Sequence, residues 1–241
     1  MLVPEQQVSL LAVSSKRVTL LADTYADRVD WVAAKQKLSG LLLEAGALNQ
    51  PGHVSVALTK ALCIAVKRQS ENHGFHARVL VVEASSTAED LLPQTTGLVN
   101  AAFAAQGRKI PIDCLSLGTA PSIVLQQAAS LTDGRHHVVQ PILVEDGKPQ
   151  HSAGSLLLPS LLVHFLPGVK VRAELFAPKN AQNLSAVCAC HGKVKELAFV
   201  CSCCLAVFCS NGEGGGICPS CATRFKPSSD TNPTFSDDLA L

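Results

Sequence analysis

Aromatic and charged side chains are scarce in this 241-residue chain. Aromatic residues make up 4% of it, with one Trp and one Tyr, and charged residues make up 16%. So few aromatic rings provide no stacking platform for single-stranded nucleic acid. The formal net charge of +1 also excludes the broad basic field of proteins that bind nucleic acid or anionic membranes.

Long apolar runs are missing as well. The longest, residues 156–166, contains Pro159 and His164 and is shorter than the ~20 residues that a membrane-spanning helix needs. The opening Met1-Leu-Val-Pro-Glu5 lacks the basic start and apolar block of a secretory signal. Because 47% of the residues are hydrophobic, we expect a soluble intracellular protein with a sizeable core and no membrane partner.

The motifs of common enzymes are absent too. The chain has no G-x-x-x-x-G-K-[ST] phosphate loop and no G-x-S-x-G nucleophile elbow. Asp113 stands alone in a predicted strand and is expected to be a hydrogen-bonded structural residue. His136 and His137 are neighbours in another predicted strand, so they point to opposite faces and are expected at the surface or a strand edge. We therefore predict no catalytic site.

Strands and helices alternate along the first 175 residues. Two apolar runs, 8–13 and 18–22, flank Ser14-Ser-Lys-Arg17 and predict a hairpin. Further strands are expected at 78–83, 110–117 and 136–139, and helices at 54–68, 94–106, 122–132 and 156–165. The run 78–83 is expected to be buried on both faces, as parallel strands are. This alternation predicts an α/β fold with a mostly parallel, Rossmann-like sheet.

The cysteines divide the chain into two parts. Eight of the ten cysteines lie between Cys188 and Cys221, which favours metal binding over disulfides in a chain without a secretion signal. The other two, Cys63 and Cys114, have apolar neighbours and are expected to be buried. We expect an α/β domain at 1–177, a zinc finger at 184–226 and a solvated, disordered tail at 227–241.

Two C-x-x-C knuckles within this cluster predict a zinc site. Cys201 and Cys204 form one knuckle, and Cys218 and Cys221 form the other after thirteen intervening residues. Each knuckle places two thiolates on a tetrahedral Zn²⁺. A redox pair is rejected because a glycine-rich loop precedes Cys218-Pro-Ser-Cys221, where a thioredoxin fold would have a strand.

Four further potential ligands leave the number of zinc ions open. A cross-braced, RING-like module would use Cys188, Cys190, His191 and Cys209 for a second zinc. The alternative is one zinc, with the upstream cysteines as packed thiols. The slight basic excess of the module is cancelled by the net negative charge of a four-thiolate zinc centre, so no direct contact with nucleic acid is expected and a protein-docking surface is favoured.

These residues resemble a known family, the 34-kilodalton subunits of the transcription and nucleotide-excision-repair factor TFIIH. The resemblance spans about 54–226 and is carried by these segments: Leu58-Thr-Lys-Ala-Leu-Cys63, Ala77-Arg-Val-Leu-Val-Val82, Ala101-Ala-Phe-Ala-Ala-Gln106, Leu125-Gln-Gln-Ala128, Leu161-Leu-Val-His-Phe-Leu-Pro167, Ser185-Ala-Val-Cys-Ala-Cys-His191, Phe199-Val-Cys-Ser-Cys-Cys-Leu-Ala-Val-Phe-Cys209 and Ile217-Cys-Pro-Ser-Cys221. It implies a von Willebrand A-like domain joined to a four-cysteine zinc finger.

The resemblance also implies a role. It predicts a non-enzymatic nuclear scaffold that pairs with a sibling subunit, which also has a von Willebrand A domain and zinc fingers. Through this pairing it would support the XPB and XPD helicases in transcription initiation and excision repair. The alternatives are a RING-like ubiquitin ligase, disfavoured because Cys188-Ala-Cys190 departs from a C-x-x-C pair, and a DNA-binding zinc-finger module.

The chain departs from the family fold at its metal-adhesion motif. Ala12 stands where a D-x-S-x-S motif would have Asp, and the later acidic position reads Glu83-Ala-Ser85, so no carboxylate set for Mg²⁺ is expected. Alternatively, 8–22 matches the hairpin that follows the first strand and helix of the fold, and those opening elements are then missing.

Overall fold

A computed structural model gives the fold. It describes residues 7–14, 17–25, 29–46, 52–72, 74–84, 94–117, 122–139, 153–175, 188, 198–204, 206–208, 217–218 and 221–224. The chain divides into two compact units, Met1–Ser185 and Ala186–Leu241. Across the described residues, no helix combines the length and apolar character needed to cross a bilayer.

The first unit alternates strands and helices, as the sequence predicts. Its elements are, in chain order, β1 (Ser9–Val13), β2 (Val18–Asp23), α1 (Trp31–Gly46), α2 (Val54–Glu71), β3 (Val79–Glu83), α3 (Thr95–Gly107), β4 (Ile112–Ser116), α4 (Ile123–Leu131), β5 (His136–Val138), α5 (Ala153–Ser160), a π-helical turn (Leu161–Phe165) and α6 (Val169–Glu174).

A parallel three-stranded sheet lies at the centre of this unit. The strand order is β3-β4-β5, with Val81 opposite Cys114 and Cys114 opposite His136. Ile112 and Cys114 of β4 pack against apolar side chains of α2, α3 and α4, including Leu98 and Leu125. The prediction of an α/β fold with a parallel sheet is confirmed.

The two faces of the sheet are covered unequally. Every residue of β4 is buried, and Leu115 packs with Val139 and Phe165 on the face opposite α3 and α4. On the edge strand β3, however, Leu80 is 36% and Val82 is 47% exposed. The prediction that this strand is buried on both faces is therefore wrong. Phe165 and its helical segment cover β4 and β5, and no described element covers Leu80 and Val82.

The predicted hairpin is present. β1 and β2 pair antiparallel, with Val13 opposite Val18, and the Ser14 N–H donates to the Arg17 carbonyl at 3.0 Å. Ala12 lies within this hairpin and is buried with Leu21 and with Ala34 of α1. Sequence reasoning missed α1 altogether. It also placed Cys63 in the core, whereas Cys63 lies on the solvent side of α2 and is exposed; Cys114 is buried as expected.

One predicted helix is split by proline. The single helix expected at 156–165 is α5 followed by the π-helical turn, in which the Leu166 N–H donates to the Leu161 carbonyl at 2.9 Å. Pro159 lies inside α5 and has no N–H to donate, which disrupts the regular α-helical pattern. The short helix α6 was not predicted.

Gly134 is required where α4 returns to the sheet. After α4, Asp133 adopts a φ of 55°, and the Gly134 N–H donates to the Ala129 carbonyl at 2.8 Å. A Cβ atom on Gly134 would lie 1.9 Å from the carbonyl oxygen of Ile112. Only glycine lets the chain pass this close to β4.

Candidate metal centre

Four cysteine sulfurs converge in the second unit. The Sγ atoms of Cys201, Cys204, Cys218 and Cys221 all lie within 4.8 Å of one another. Cys201 and Cys221 are 3.7 Å apart, and Cys204 and Cys218 are 3.6 Å apart. Within the described part of the chain, this is the only group of three or more potential ligands close enough to share a metal ion.

Short strands and backbone hydrogen bonds position the two knuckles. β6 (Phe199–Val200) pairs antiparallel with β7 (Val207–Phe208) around the first knuckle, where the Cys201 N–H donates to the Ala206 carbonyl at 2.9 Å. In the second knuckle, the Cys218 N–H donates to the Thr223 carbonyl at 2.8 Å. Each tight turn brings the two cysteines of one C-x-x-C motif to the same side of the chain.

The sulfurs differ in environment. Burial raises the pKa of Cys204 to about 12. At Cys221 the Thr223 hydroxyl, 3.1 Å from Sγ, lowers the thiol pKa to about 6. Backbone hydrogen bonding at Cys204 lowers the pKa of Cys201. Sequence reasoning missed Thr223, although a hydroxyl two residues after a metal-binding cysteine is a recognisable signal.

This donor set fits a tetrahedral soft-metal ion. With Zn–S bonds of ~2.3 Å, the sulfurs of a tetrahedral site lie about 3.8 Å apart. The Cys201–Cys221 and Cys204–Cys218 sulfur separations are close to this value. Zn²⁺ bound here would neutralise thiolates that otherwise crowd one another. Such a centre cross-links two distant turns and supplies stability rather than chemistry, because four protein ligands leave no open coordination position.

The proposed second site falls mostly outside the described residues. Cys190, His191 and Cys209 are not described. Cys188 is fully buried and packs with Cys201, Cys204, Cys218 and Phe208 in the core of the finger. Cys203 is exposed and is not one of the four converging cysteines.

A buried polar cluster lies at the carboxyl end of the parallel sheet. The Ser116 hydroxyl donates to Oε2 of Glu83 at 2.8 Å, and the Ser122 N–H, just before α4, donates to the same oxygen at 3.2 Å. His136 Nε2 is 3.4 Å from the Ser116 hydroxyl. His136 is 9% exposed, so it is buried rather than at the surface, although its strand β5 is an edge strand of the described sheet, as the alternative prediction has it. In a catalytic triad the histidine lies between the carboxylate and the nucleophile. Here Ser116 lies between Glu83 and His136, so the cluster does not have the order of a triad.

Asp113 has the predicted structural role. Its Oδ2 and Oδ1 accept from Nη1 and Nη2 of Arg172, each at 2.6 Å, and Oδ1 also accepts the Arg135 N–H at 2.7 Å. The carboxylate is 2% exposed. It joins α6 to the sheet and leaves no oxygen facing solvent.

Known proteins resemble both units of this chain. The model of the family described as transcription factor Tfb4 matches residues 24–222. A protein of Dictyostelium discoideum named general transcription factor IIH subunit 3 is 31% identical over 172 residues, which cover 71% of this chain and 41% of that protein. A Schizosaccharomyces pombe protein named general transcription and DNA repair factor IIH subunit tfb4 is 31% identical over 71% of this chain and 52% of its own length.

A further relative and a solved structure are also similar to this chain. An Arabidopsis thaliana protein named general transcription and DNA repair factor IIH subunit TFB4 is 29% identical over 71% of this chain and 52% of its own length. The crystal structure of the TFIIH p34 N-terminal domain has a TM-score of 0.40 and 24% sequence identity, covering 65% of this chain and 75% of that one. The chain spans about half the length of the curated relatives that it matches.

Proposed function

The chain belongs to the transcription factor Tfb4 family, and we propose that it is a non-catalytic structural subunit of the general transcription and DNA repair factor IIH (TFIIH). The observation that carries this proposal is the family match, which runs through both units from residue 24 to residue 222. The names of the relatives pair transcription with DNA repair. We therefore assign the chain to transcription initiation and nucleotide excision repair in the nucleus.

The proposed organisation assigns one task to each part. Residues 1–177 form a von Willebrand A-like domain that docks against other subunits, residues 184–226 form the zinc finger, and residues 227–241 form a tail. Cys201, Cys204, Cys218 and Cys221 hold one structural zinc, supported by their convergence within 4.8 Å. Cys188 is buried in the same core as three of these four ligands, and the cross-braced arrangement, with a second zinc at Cys188, Cys190, His191 and Cys209, is the alternative.

The proposed direct partner is the sibling subunit that has its own von Willebrand A domain and zinc fingers. Through the core complex, the pair would support the XPB and XPD helicases. The relatives' names indicate neither a ubiquitin ligase nor a DNA-binding zinc-finger module, and the net charge of +1 gives no broad basic field for DNA. Scaffolding by protein contacts is therefore favoured over both alternatives.

An apolar surface on the first unit is suited to this contact. Four apolar side chains in α5, in the π-helical turn and directly after it are each about half exposed or more, from 48% to 61%: Leu158, Leu162, Val163 and Leu166. They belong to one short segment, and exposed apolar patches of this kind usually mark partner sites. We assign the sibling subunit to this surface.

Co-expression with the sibling subunit tests the assembly. The unsubstituted pair should elute as one monodisperse heterodimer in size-exclusion chromatography. Leu162→Asp should separate the two proteins, because it buries a charge in the interface. Leu43→Asp is the matched control, since Leu43 is 79% exposed on α1, and it should leave the pair intact. A chain that remains monomeric beside the sibling subunit would refute the proposal.

A further inference from the structure

Three arginines lie together at the amino end of the parallel sheet. Arg78 immediately precedes β3, Arg135 immediately precedes β5, and Arg172 belongs to α6. Asp113 of β4 lies among them, opposite Leu80 in the sheet register. All three guanidinium groups interact electrostatically with this one carboxylate.

The single carboxylate is already occupied. Arg172 binds both oxygens of Asp113, and of the described ion pairs it is the only one that involves these three arginines. The Arg135 guanidinium donates instead to neutral acceptors, the backbone carbonyls of His164 and Arg172. Arg78 makes no hydrogen bond to any described residue, and its Nη1 atom is buried. Two of the three guanidinium groups thus have no anion of their own.

The surroundings increase the cost of these unmatched charges. Burial, and then the positive charge of Arg172, lower the pKa of Arg78 and of Arg135. A guanidinium nevertheless stays protonated in proteins, so the charge remains. Both side chains are half-buried, so each is partly desolvated yet still accessible, and an incoming oxyanion could accept charge-assisted hydrogen bonds from Arg78.

The neighbouring surface indicates what brings that anion. Leu80, two residues after Arg78, is 36% exposed, and Val171, next to Arg172, is 52% exposed. A nucleic acid would require a broad basic field to follow its backbone, whereas Leu80 and Val171 are apolar and the chain has a net charge of only +1. An acidic side chain flanked by apolar residues would complement both the positive charge of the arginines and the exposed apolar side chains beside them.

We propose that Arg78 and Arg135 form a binding site for the carboxylate of an acidic side chain on a protein partner. Arg78 is half-buried and binds the carboxylate through the part of its side chain that solvent reaches, and Arg135 adds a second positive charge. Apolar residues next to the acidic one pack on Leu80 and Val171. This site rests on charge and exposure alone and does not depend on the proposed role in TFIIH.

A pair of matched peptides tests the site on the full chain. One peptide contains Leu-Val-Asp-Val-Leu, the other Leu-Val-Asn-Val-Leu, and binding is measured by calorimetry or NMR titration. The Asp peptide should bind saturably and the Asn peptide should not. Arg78→Gln should weaken binding of the Asp peptide by about tenfold or more, because it removes charge-assisted hydrogen bonds. Lys60→Gln, the same loss of charge at an exposed site on α2, should leave binding unchanged.

Several results would overturn the site. Equal binding of the two peptides, or no binding of either, contradicts it without the use of any variant, so a failure of Arg78→Gln to fold does not leave the question open. A short DNA duplex that binds through Arg78 while both peptides fail would identify a nucleic-acid ligand instead. Loss of the sibling-subunit contact through Leu162→Asp, with peptide binding retained, separates this site from the proposed assembly.

Discussion

Both terminal nitrogens of Arg172 lie 2.6 Å from the carboxylate oxygens of Asp113. This bidentate ion pair fastens α6 to β4, the fully buried central strand. Asp113 is 2% and Arg172 10% exposed at the side chain, so water screens the pair poorly. Its two members are 59 residues apart in the chain. The pair therefore links two elements that are distant in the sequence.

Removal of Arg172 should destabilise the first unit strongly. Arg172→Met removes the bidentate hydrogen-bonding partner of the buried Asp113 carboxylate, and such losses cost about 3 kcal/mol or more. Lys67→Met is the control, because the Lys67–Glu71 pair is long, at 3.8 Å, and Lys67 is 69% exposed; it should change stability by less than about 0.5 kcal/mol. Urea unfolding followed by circular dichroism measures both, and equal effects would contradict the assigned role of Asp113.

The stability of the first unit should fall in mild acid because of His136. Burial, followed by the charge of His137, lowers the pKa of His136 from 6.5 to about 4, so folding favours the neutral imidazole. The resulting stabilisation is present above pH ~6.5 and is lost as the pH falls through the folded pKa near 4, by roughly 2–3 kcal/mol.

Two histidine variants check this pH dependence. Unfolding free energies between pH 4 and 7 are measured with Trp31, the only tryptophan, as the probe of the first unit. His136→Gln should flatten the profile, whereas His76→Gln, at an exposed position, should leave it unchanged. A profile that keeps its slope in His136→Gln would place the acid sensitivity elsewhere.

Gly134→Ala should destabilise the first unit by about 3 kcal/mol. The added Cβ would meet the Ile112 carbonyl oxygen at 1.9 Å, and this atom belongs to the central strand, which cannot move aside. Gly107→Ala provides the comparison at the end of α3, where nothing lies within 4 Å of the added Cβ. That change should be neutral or slightly stabilising, and a thermal melt that ranks the variants in the opposite order would contradict the packing at Gly134.

The sequence predicted this fold best where local pattern and tertiary burial agree. The hairpin at Ser14–Arg17, the strand β4 and the helices α2 to α4 all follow from apolar periodicity and breakers such as Gly134. Exposure was harder to predict. Leu80 and Val82 look like core residues, but the helical segment around Phe165, more than 70 positions later in the chain, packs on Leu115 and Val139 instead and leaves them exposed.

In the candidate metal site too, local spacing predicted some features, whereas others depend on tertiary packing. Knuckle spacing was enough to predict the convergence of Cys201 with Cys221. Spacing could not reveal that Cys188 packs into the same core as Cys201, Cys204 and Cys218, because burial depends on tertiary packing. No local pattern predicts that Asp113 pairs with Arg172 or that Arg78 has no anion of its own. Both depend on contacts between elements that are distant in the sequence.

Substitutions at the adjacent Cys203 and Cys204 should distinguish a zinc ligand from a cysteine that does not bind zinc. Cys204→Ala should abolish zinc binding and unfold residues 188–224, because structural zinc supplies ~10 kcal/mol or more of folding free energy in small modules. Cys203→Ala should retain the metal, since Cys203 is exposed and lies outside the four-cysteine group. Elemental analysis should give one zinc per unsubstituted chain. Two zincs would establish the cross-braced site, and iron or no metal would refute the proposal.

The composition of the complex that contains this chain tests its proposed role in TFIIH most directly. The tagged full chain is purified from nuclear extract of cells that express it, and the co-purifying proteins are quantified by mass spectrometry. The sibling von Willebrand A/zinc-finger subunit should co-purify in equal amount, together with the XPB and XPD helicases, and all three should be lost in Leu162→Asp but not in Leu43→Asp. Recovery of the chain without any of these subunits would contradict its role in TFIIH.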